Sequence, residues 1–180
     1  MAEKKQSAII FERLRTEIPN PKQIEFFESD ARHTAYGGSR GGGKSWAMRR
    51  KFVLLAMRYP NLRILLLRRT LPELRENHQL EMQAELAGYA KFNADEKAFT
   101  FPNGARIKLG YCESESDWVQ YQGQEYQVMG FEECTNFTRE QVRNILTSNR
   151  STLPGFKPRA YYTCNPGGKL CRVLSKGRAS

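Results

Sequence analysis

The sequence predicts an α/β fold in which a mainly parallel sheet is flanked by helices, and three observations carry that prediction. Helical and extended patterns alternate along the 180 residues, without an internal repeat or a low-complexity segment. The run Ile64, Leu65, Leu66, Leu67 is apolar without alternation, as a strand covered on both faces requires. A glycine cluster from Gly37 to Gly43 joins an extended stretch directly to a helical one.

Taken in order, Pro21 to Ser29 reads as a short helix and Arg32 to Tyr36 as a first strand running into the glycines. A helix follows from Lys44 to about Arg58, apolar almost all round in its second half and ended by Tyr59, Pro60 and Asn61. Leu62 to Leu67 is the doubly buried strand. Thr70, Pro72 and Glu73 predict a capping box and a helix to about Ala87. Phe99 and Phe101, the turn Pro102-Asn103-Gly104, and Ala105, Ile107 and Leu109 form a hairpin signature. Tyr126 to Phe131 is a buried strand ending in two acids, Thr138 to about Ser148 a helix, and Arg159 to Thr163 a last strand closed by the turn residues Asn165 to Gly168.

At ~150 residues per domain the chain makes one domain, and 39% hydrophobic residues suffice for a core. Lys and Arg number 29 against 19 Asp and Glu, a net charge of +10. Such an excess accompanies a polyanionic partner such as DNA or RNA, or serves solubility alone; charge does not choose between them. The longest uninterrupted apolar run, Phe52 to Met57, is far short of the roughly 20 residues of a membrane helix, so no membrane span is expected. Met1 to Arg15 lacks a signal-peptide core. Cys112, Cys134, Cys164 and Cys171 lack paired metal or redox spacing and are expected to be reduced thiols.

Gly38, Ser39, Arg40, Gly41, Gly42, Gly43, Lys44 and Ser45 fit G-x-x-x-x-G-K-[ST] between the predicted strand and helix, the pattern of a P-loop nucleotide triphosphatase. Glycines are needed because successive amides must turn inward around phosphate oxygens, where a Cβ would block the approach. Lys44 is expected to reach the β- and γ-phosphates of ATP and the Ser45 hydroxyl to ligate Mg2+. About ninety residues on, the strand Tyr126 to Phe131 delivers Glu132 and Glu133 to its carboxyl end, where open α/β sheets bind ligands. Glu132 is assigned to the magnesium shell, where an aspartate is usual, and Glu133 to the attacking water. Gln23 is a candidate reader of the adenine edge, Arg40 an internal arginine finger, and Thr163 and Asn165 sensors of the γ-phosphate. Basic groups at Arg49, Arg50 and Lys51, at Arg63, Arg68 and Arg69, and at Arg172, Lys176 and Arg178 are candidate contacts to a phosphodiester backbone. Trp118, Tyr121 and Tyr126 read as packing rather than as base-stacking platforms.

From Pro21 to Gly168 the sequence resembles the N-terminal ATPase portion of the large subunit of tailed-phage terminases. The resemblance rests on an ordered set: PKQIEFFES, AYGGSRGGGKS, ILLLRRTLPELREN, FPNGARIKLG, YQGQEYQVMGFEECTNFT and YYTCNPGG. It implies a RecA-like ATPase that drives double-stranded DNA into a procapsid in the host cytoplasm, docked on a portal protein, aided by a small terminase subunit and working as a homo-oligomeric ring. It gives Gln23 the adenine, Gly38 to Ser45 the phosphates, Glu132 and Glu133 the metal and water, and Thr163 to Asn165 the coupling of hydrolysis to movement; it also supports Arg40 as the loop arginine. Some relatives carry a finger acting across subunits just before the glycine matching Gly123; here that position is Gln122, and Arg150 is an alternative source. The resemblance divides the chain into an upstream segment, residues 1–30, the ATPase domain, 31–168, and a divergent or truncated tail, 169–180. The family's second, nuclease domain does not fit within it, so cutting of DNA is not expected. Two alternatives stand beside the motor: a RecA-like helicase domain, and a nucleotide- and DNA-binding module that does not turn over.

Overall fold

A strand of consecutive apolar residues can be buried only in a sheet covered on both sides, and the described residues meet that demand with one seven-stranded sheet. The structure is a computed structural model that describes residues 18–38 and 41–165. Its strands are β1 (His33–Gly37), β2 (Arg63–Arg68), β3 (Lys91–Asn93), β4 (Ala98–Thr100), β5 (Arg106–Tyr111), β6 (Val128–Phe131) and β7 (Arg159–Cys164). Their spatial order is β1, β7, β6, β2, β5, β4, β3. The first five in that order run parallel, and β4 and β3 close the other edge antiparallel. The α/β class, the mainly parallel sheet and the hairpin are as the sequence predicts. Strand β7 separates β1 from β6, so the acids stand one strand further from the glycine loop than immediate neighbours would.

Helices α1 (Pro21–Glu28) and α2 (Lys44–Arg58) flank β1 in sequence, and α5 (Arg139–Leu146) lies between β6 and β7. Between β2 and β3 the chain forms α3 (Leu71–Leu74), a π-helical turn over Arg75–Gln79, and α4 (Leu80–Glu85). Two cores result. One gathers Ile64, Leu66, Val128 and Tyr161 with Met48, Phe52 and Val53 of α2. The other gathers Leu65, Leu67, Met129, Phe131 and Tyr162 with Val142 and Ile145 of α5. The alternate residues of β2 thus enter opposite cores, which is why its sequence shows no polar face. Trp118, Tyr121 and Tyr126 pack into or against the second core, as expected.

Helix α2 fits tightly over β6 because Gly130 has no side chain. A Cβ there would lie 2.5 Å from two Phe52 ring carbons and 2.8 Å from Met48 Sδ. The absence of that atom brings the N-terminus of α2 down toward the end of β6.

Several expectations are corrected. Thr70 forms no side-chain cap; the Leu71 amide donates instead to Glu113 Oε1 at 3.0 Å, and Glu73 turns to Arg68 at 3.4 Å. The basic run Arg49, Arg50 and Lys51 is buried, as is Arg68. Lys51 donates to the carbonyls of Phe26, Phe27 and Ser29 at the C-terminal end of α1. Arg49 donates to the Asn77 carbonyl, and Arg50 lies over the Trp46 ring near Glu85. These heads find acceptors inside the fold. Cys112 and Cys134 are free and buried, with burial pushing both thiols up to about 11; Cys164 is disulfide-bonded, against the expectation of a reduced thiol. Arg172, Lys176 and Arg178 lie outside the described residues.

Candidate nucleotide site

The parallel register sets the site. Tyr36 pairs with Thr163 and Gly37 with Cys164, while Phe131 pairs with Tyr162. The carboxyl ends of β1, β7 and β6 therefore finish side by side, and the loop after β1 opens toward the acids after β6. Gly41 and Gly43 have φ of +77° and +66°, where an L side chain is strained. A Cβ on Gly43 would also lie 2.7 Å from Gln23 Nε2. Lys44 begins α2, is 9% exposed, and donates from Nζ to the Gly38 carbonyl at 3.0 Å. Ser39 and Arg40 lie outside the described residues, and so does the internal-finger assignment of Arg40.

Gly41, Gly42, Gly43, Lys44, Ser45, Glu132, Glu133, Thr163 and Asn165 line one cavity of about 470 Å³. Of the described site residues expected from the sequence, only Gly38 and Gln23 are not on its wall. Gln23 is buried behind the loop. Its Oε1 accepts from the Asn20 amide at 2.9 Å in a reciprocal cap, and its Nε2 lies 3.5 Å from the Gly43 carbonyl. A second cavity of about 430 Å³, lined by Asn20, Pro21, Lys22, Tyr36, Gly37, Gly38 and Gly42, opens on that side of the loop.

The two acids have different surroundings. Glu132 is 1% exposed. Its Oε2 accepts from Arg68 Nη1 at 2.5 Å and from His78 Nε2, while its buried Oε1 has no hydrogen-bond partner. Burial pushes the Glu132 carboxyl up, but the His78 imidazole, the Ser45 hydroxyl and the Arg68 guanidinium outweigh it and hold it down at about 2. Glu133 is part-exposed; its Oε2 meets Arg68 Nη2 at 3.4 Å and accepts from Asn136 Nδ2 at 3.1 Å. Its backbone sits at φ 48° and ψ 52°, left-handed for a residue with a side chain. The Glu133 amide donates to Thr163 Oγ1 at 3.1 Å, which ties the acid to the end of β7.

Sequence reasoning missed Arg68 as the link between both acids, His78 as a partner of Glu132, and Trp46, Arg49, Glu76, Asn77 and Glu81 on the cavity wall. Arg68 was visible only as one of the basic group Arg63, Arg68 and Arg69, and nothing in the spacing joins His78 to an acid 54 positions away. Arg150 is exposed and donates to the Gly123 carbonyl at 3.3 Å, beside the exposed Gln122. Among the described residues no group of three or more His, Cys, Asp or Glu gathers as a metal site, and no helix is long and apolar enough to cross a membrane.

A strand, a glycine loop and a helix, faced by acids from another strand end of the same parallel sheet, define a P-loop nucleotide-binding fold. Residues 35–169 match the family described as terminase large subunit, T4-like virus type, N-terminal, and the chain belongs to that family. No curated protein sequence matches it. It is similar in structure to the large terminase of a thermophilic bacteriophage, with TM-score 0.69 and 22% identity over 83% of this chain and 40% of that one. The same phage protein has been solved in complex with ADP and with ATP-gamma-S. The large terminase of bacteriophage HK97 gives TM-score 0.67 and 12% identity, over 91% of this chain and 38% of that one. The N-terminal domain of the DNA packaging ATPase of bacteriophage phi29 gives 0.53 and 16%, over 87% and 86%. These likenesses carry the fold. The chain spans about two fifths of the length of the first two proteins.

Proposed function

We propose that this chain is the magnesium-dependent ATPase domain of a viral packaging motor, hydrolysing ATP to drive double-stranded DNA into a procapsid. The observation that carries the reading is the convergence of Lys44, Ser45, Glu132, Glu133 and Thr163 on one cavity at the carboxyl edge of the sheet. Amides of Gly38 to Lys44, Ser39 and Arg40 included, wrap the phosphates, and Lys44 exchanges the Gly38 carbonyl for phosphate oxygens. Ser45 and Glu132 suit magnesium: the Glu132 Oε1 is a buried carboxylate oxygen without a partner, and the Ser45 hydroxyl acts on the same carboxylate. When bound, the cation neutralises charge on the phosphate oxygens. Glu133 orients the attacking water and takes its proton, Arg40 faces the developing charge, and Thr163 and Asn165 register loss of the γ-phosphate. Gln23 reads the adenine edge from beside the second cavity.

In this reading residues 31–168 form the ATPase domain and 1–30 the upstream adenine segment. Its setting is the host cytoplasm. The partners are duplex DNA, a portal protein, a small terminase subunit and further copies of the chain in a ring, with no membrane role. Release of phosphate measured with and without duplex DNA tests it. The expected result is ATP hydrolysis that duplex DNA stimulates and that Lys44→Ala abolishes together with nucleotide binding. Stimulation by single-stranded DNA with strand separation would replace the motor with a helicase, and nucleotide binding without any turnover would leave only a binding module.

A further inference from the structure

Glu132 has one more rotatable bond than the aspartate usual at its position, so something must fix the end of a longer arm. Two donors do so at a single oxygen, Oε2: Arg68 Nη1 from the end of β2, and His78 Nε2 from the π-helical turn. They are not equivalent. Arg68 is shared with Glu133 and Glu73, at 3.4 Å each, so it follows three carboxylates at once. His78 is fully buried, its Nδ1 has no hydrogen-bond partner, and its Nε2 bond goes to Glu132. A carboxylate only accepts, so Nε2 carries the proton. A buried imidazole with an unpaired nitrogen is a poor choice for packing, where leucine would cost less. π-helical turns are rare and concentrate at functional sites; this one turns His78 into the interior, while its neighbours Glu76 and Asn77 line the cavity.

We propose that His78 is a positioning residue: by holding Oε2 of Glu132 it presents the free Oε1 to the divalent cation that accompanies the nucleotide. The inference rests on the nucleotide reading of the site given above. Partners of metal-binding side chains of this kind change metal affinity by about 10- to 100-fold when removed.

The test compares wild type, His78→Leu and His78→Gln, measuring ATP-gamma-S affinity in Mg2+ and in EDTA, and the Mg2+ concentration for half-maximal phosphate release. His78→Leu is expected to keep its EDTA affinity within about twofold and to need at least about 10-fold more Mg2+. His78→Gln, whose amide carries a donor near the Nε2 position, is expected to recover most of the difference. An unchanged Mg2+ requirement in His78→Leu overturns the inference, as does equal weakening in Mg2+ and EDTA, which is what lost packing would give. Should leucine prevent folding, His78→Asn, whose amide falls short of Glu132, must show the same raised requirement. Wild-type affinity that ignored Mg2+ would defeat the nucleotide reading itself, whereas normal wild-type dependence with unaltered variants defeats only the role of His78.

Discussion

Replacing Thr163 with valine exchanges a hydroxyl for a methyl in a fully buried side chain at nearly constant volume. The exchange removes the acceptor of the Glu133 amide, now 3.1 Å away. A buried amide left without a partner costs about 1–3 kcal/mol. Glu133 also holds a left-handed backbone, φ 48° and ψ 52°, a conformation that costs roughly 1–2 kcal/mol for a residue with a side chain. Once the bond is gone, relaxation recovers part of that strain, so the net loss of stability is expected at about 1 kcal/mol. The larger effect falls on geometry, because the same relaxation swings the Glu133 carboxylate off the cavity. A displacement of about 1 Å at a reacting centre costs on the order of 100-fold in rate. Urea unfolding, ATP-gamma-S titration and single-turnover phosphate release separate the terms. The expected pattern is a small stability loss, nearly unchanged affinity and turnover down by about two orders of magnitude, with Thr163→Ser close to wild type. Wild-type turnover in Thr163→Val would refute the reasoning, as would a serine variant as impaired as the valine one.

Gly130→Ala is expected to lose about 2–3 kcal/mol in urea unfolding, because its Cβ must displace the Phe52 ring and Met48 Sδ from contacts of 2.5 and 2.8 Å; a loss under half a kcal/mol would mean that α2 does not sit as described. Lys51→Met keeps the apolar stem but leaves the carbonyls of Phe26, Phe27 and Ser29 without their ammonium partner. Its expected cost is about 2–3 kcal/mol, with faster amide hydrogen exchange confined to α1, and unchanged exchange there would contradict the role of Lys51 as the strap between α1 and α2.

Much of the fold was legible because its signals are local. The glycine run, the helix after it and the unbroken apolar strand β2 each declare themselves within ten residues, and the structure returns them with boundaries shifted by a residue or so. What was not legible depends on partners distant in sequence. Arg49, Arg50 and Lys51 read as a surface patch, since nothing nearby shows that carbonyls of α1, the Asn77 carbonyl and the Glu85 carboxylate wait for them. Strand β3 was missed because Lys91, Phe92 and Asn93 have a single apolar residue and gain their place by pairing Phe92 with Phe99 across the hairpin. The same division runs through the site. Spacing alone singled out Lys44, Ser45, Glu132 and Glu133, which line one cavity, while the contact of His78 with Glu132 depends on a π-helical turn that no periodicity announces.

The account depends on the glycine loop and the acids of β6 serving one nucleotide from opposite walls of a shared cavity. Glu133→Gln preserves the side-chain volume while removing the negative charge that faces Arg68 and, with it, the capacity to take a proton, so its ratio of nucleotide affinity to turnover is the most direct measure. The account predicts ATP-gamma-S affinity within about twofold of wild type and phosphate release reduced by about 100-fold or more. Undiminished release by Glu133→Gln would contradict it.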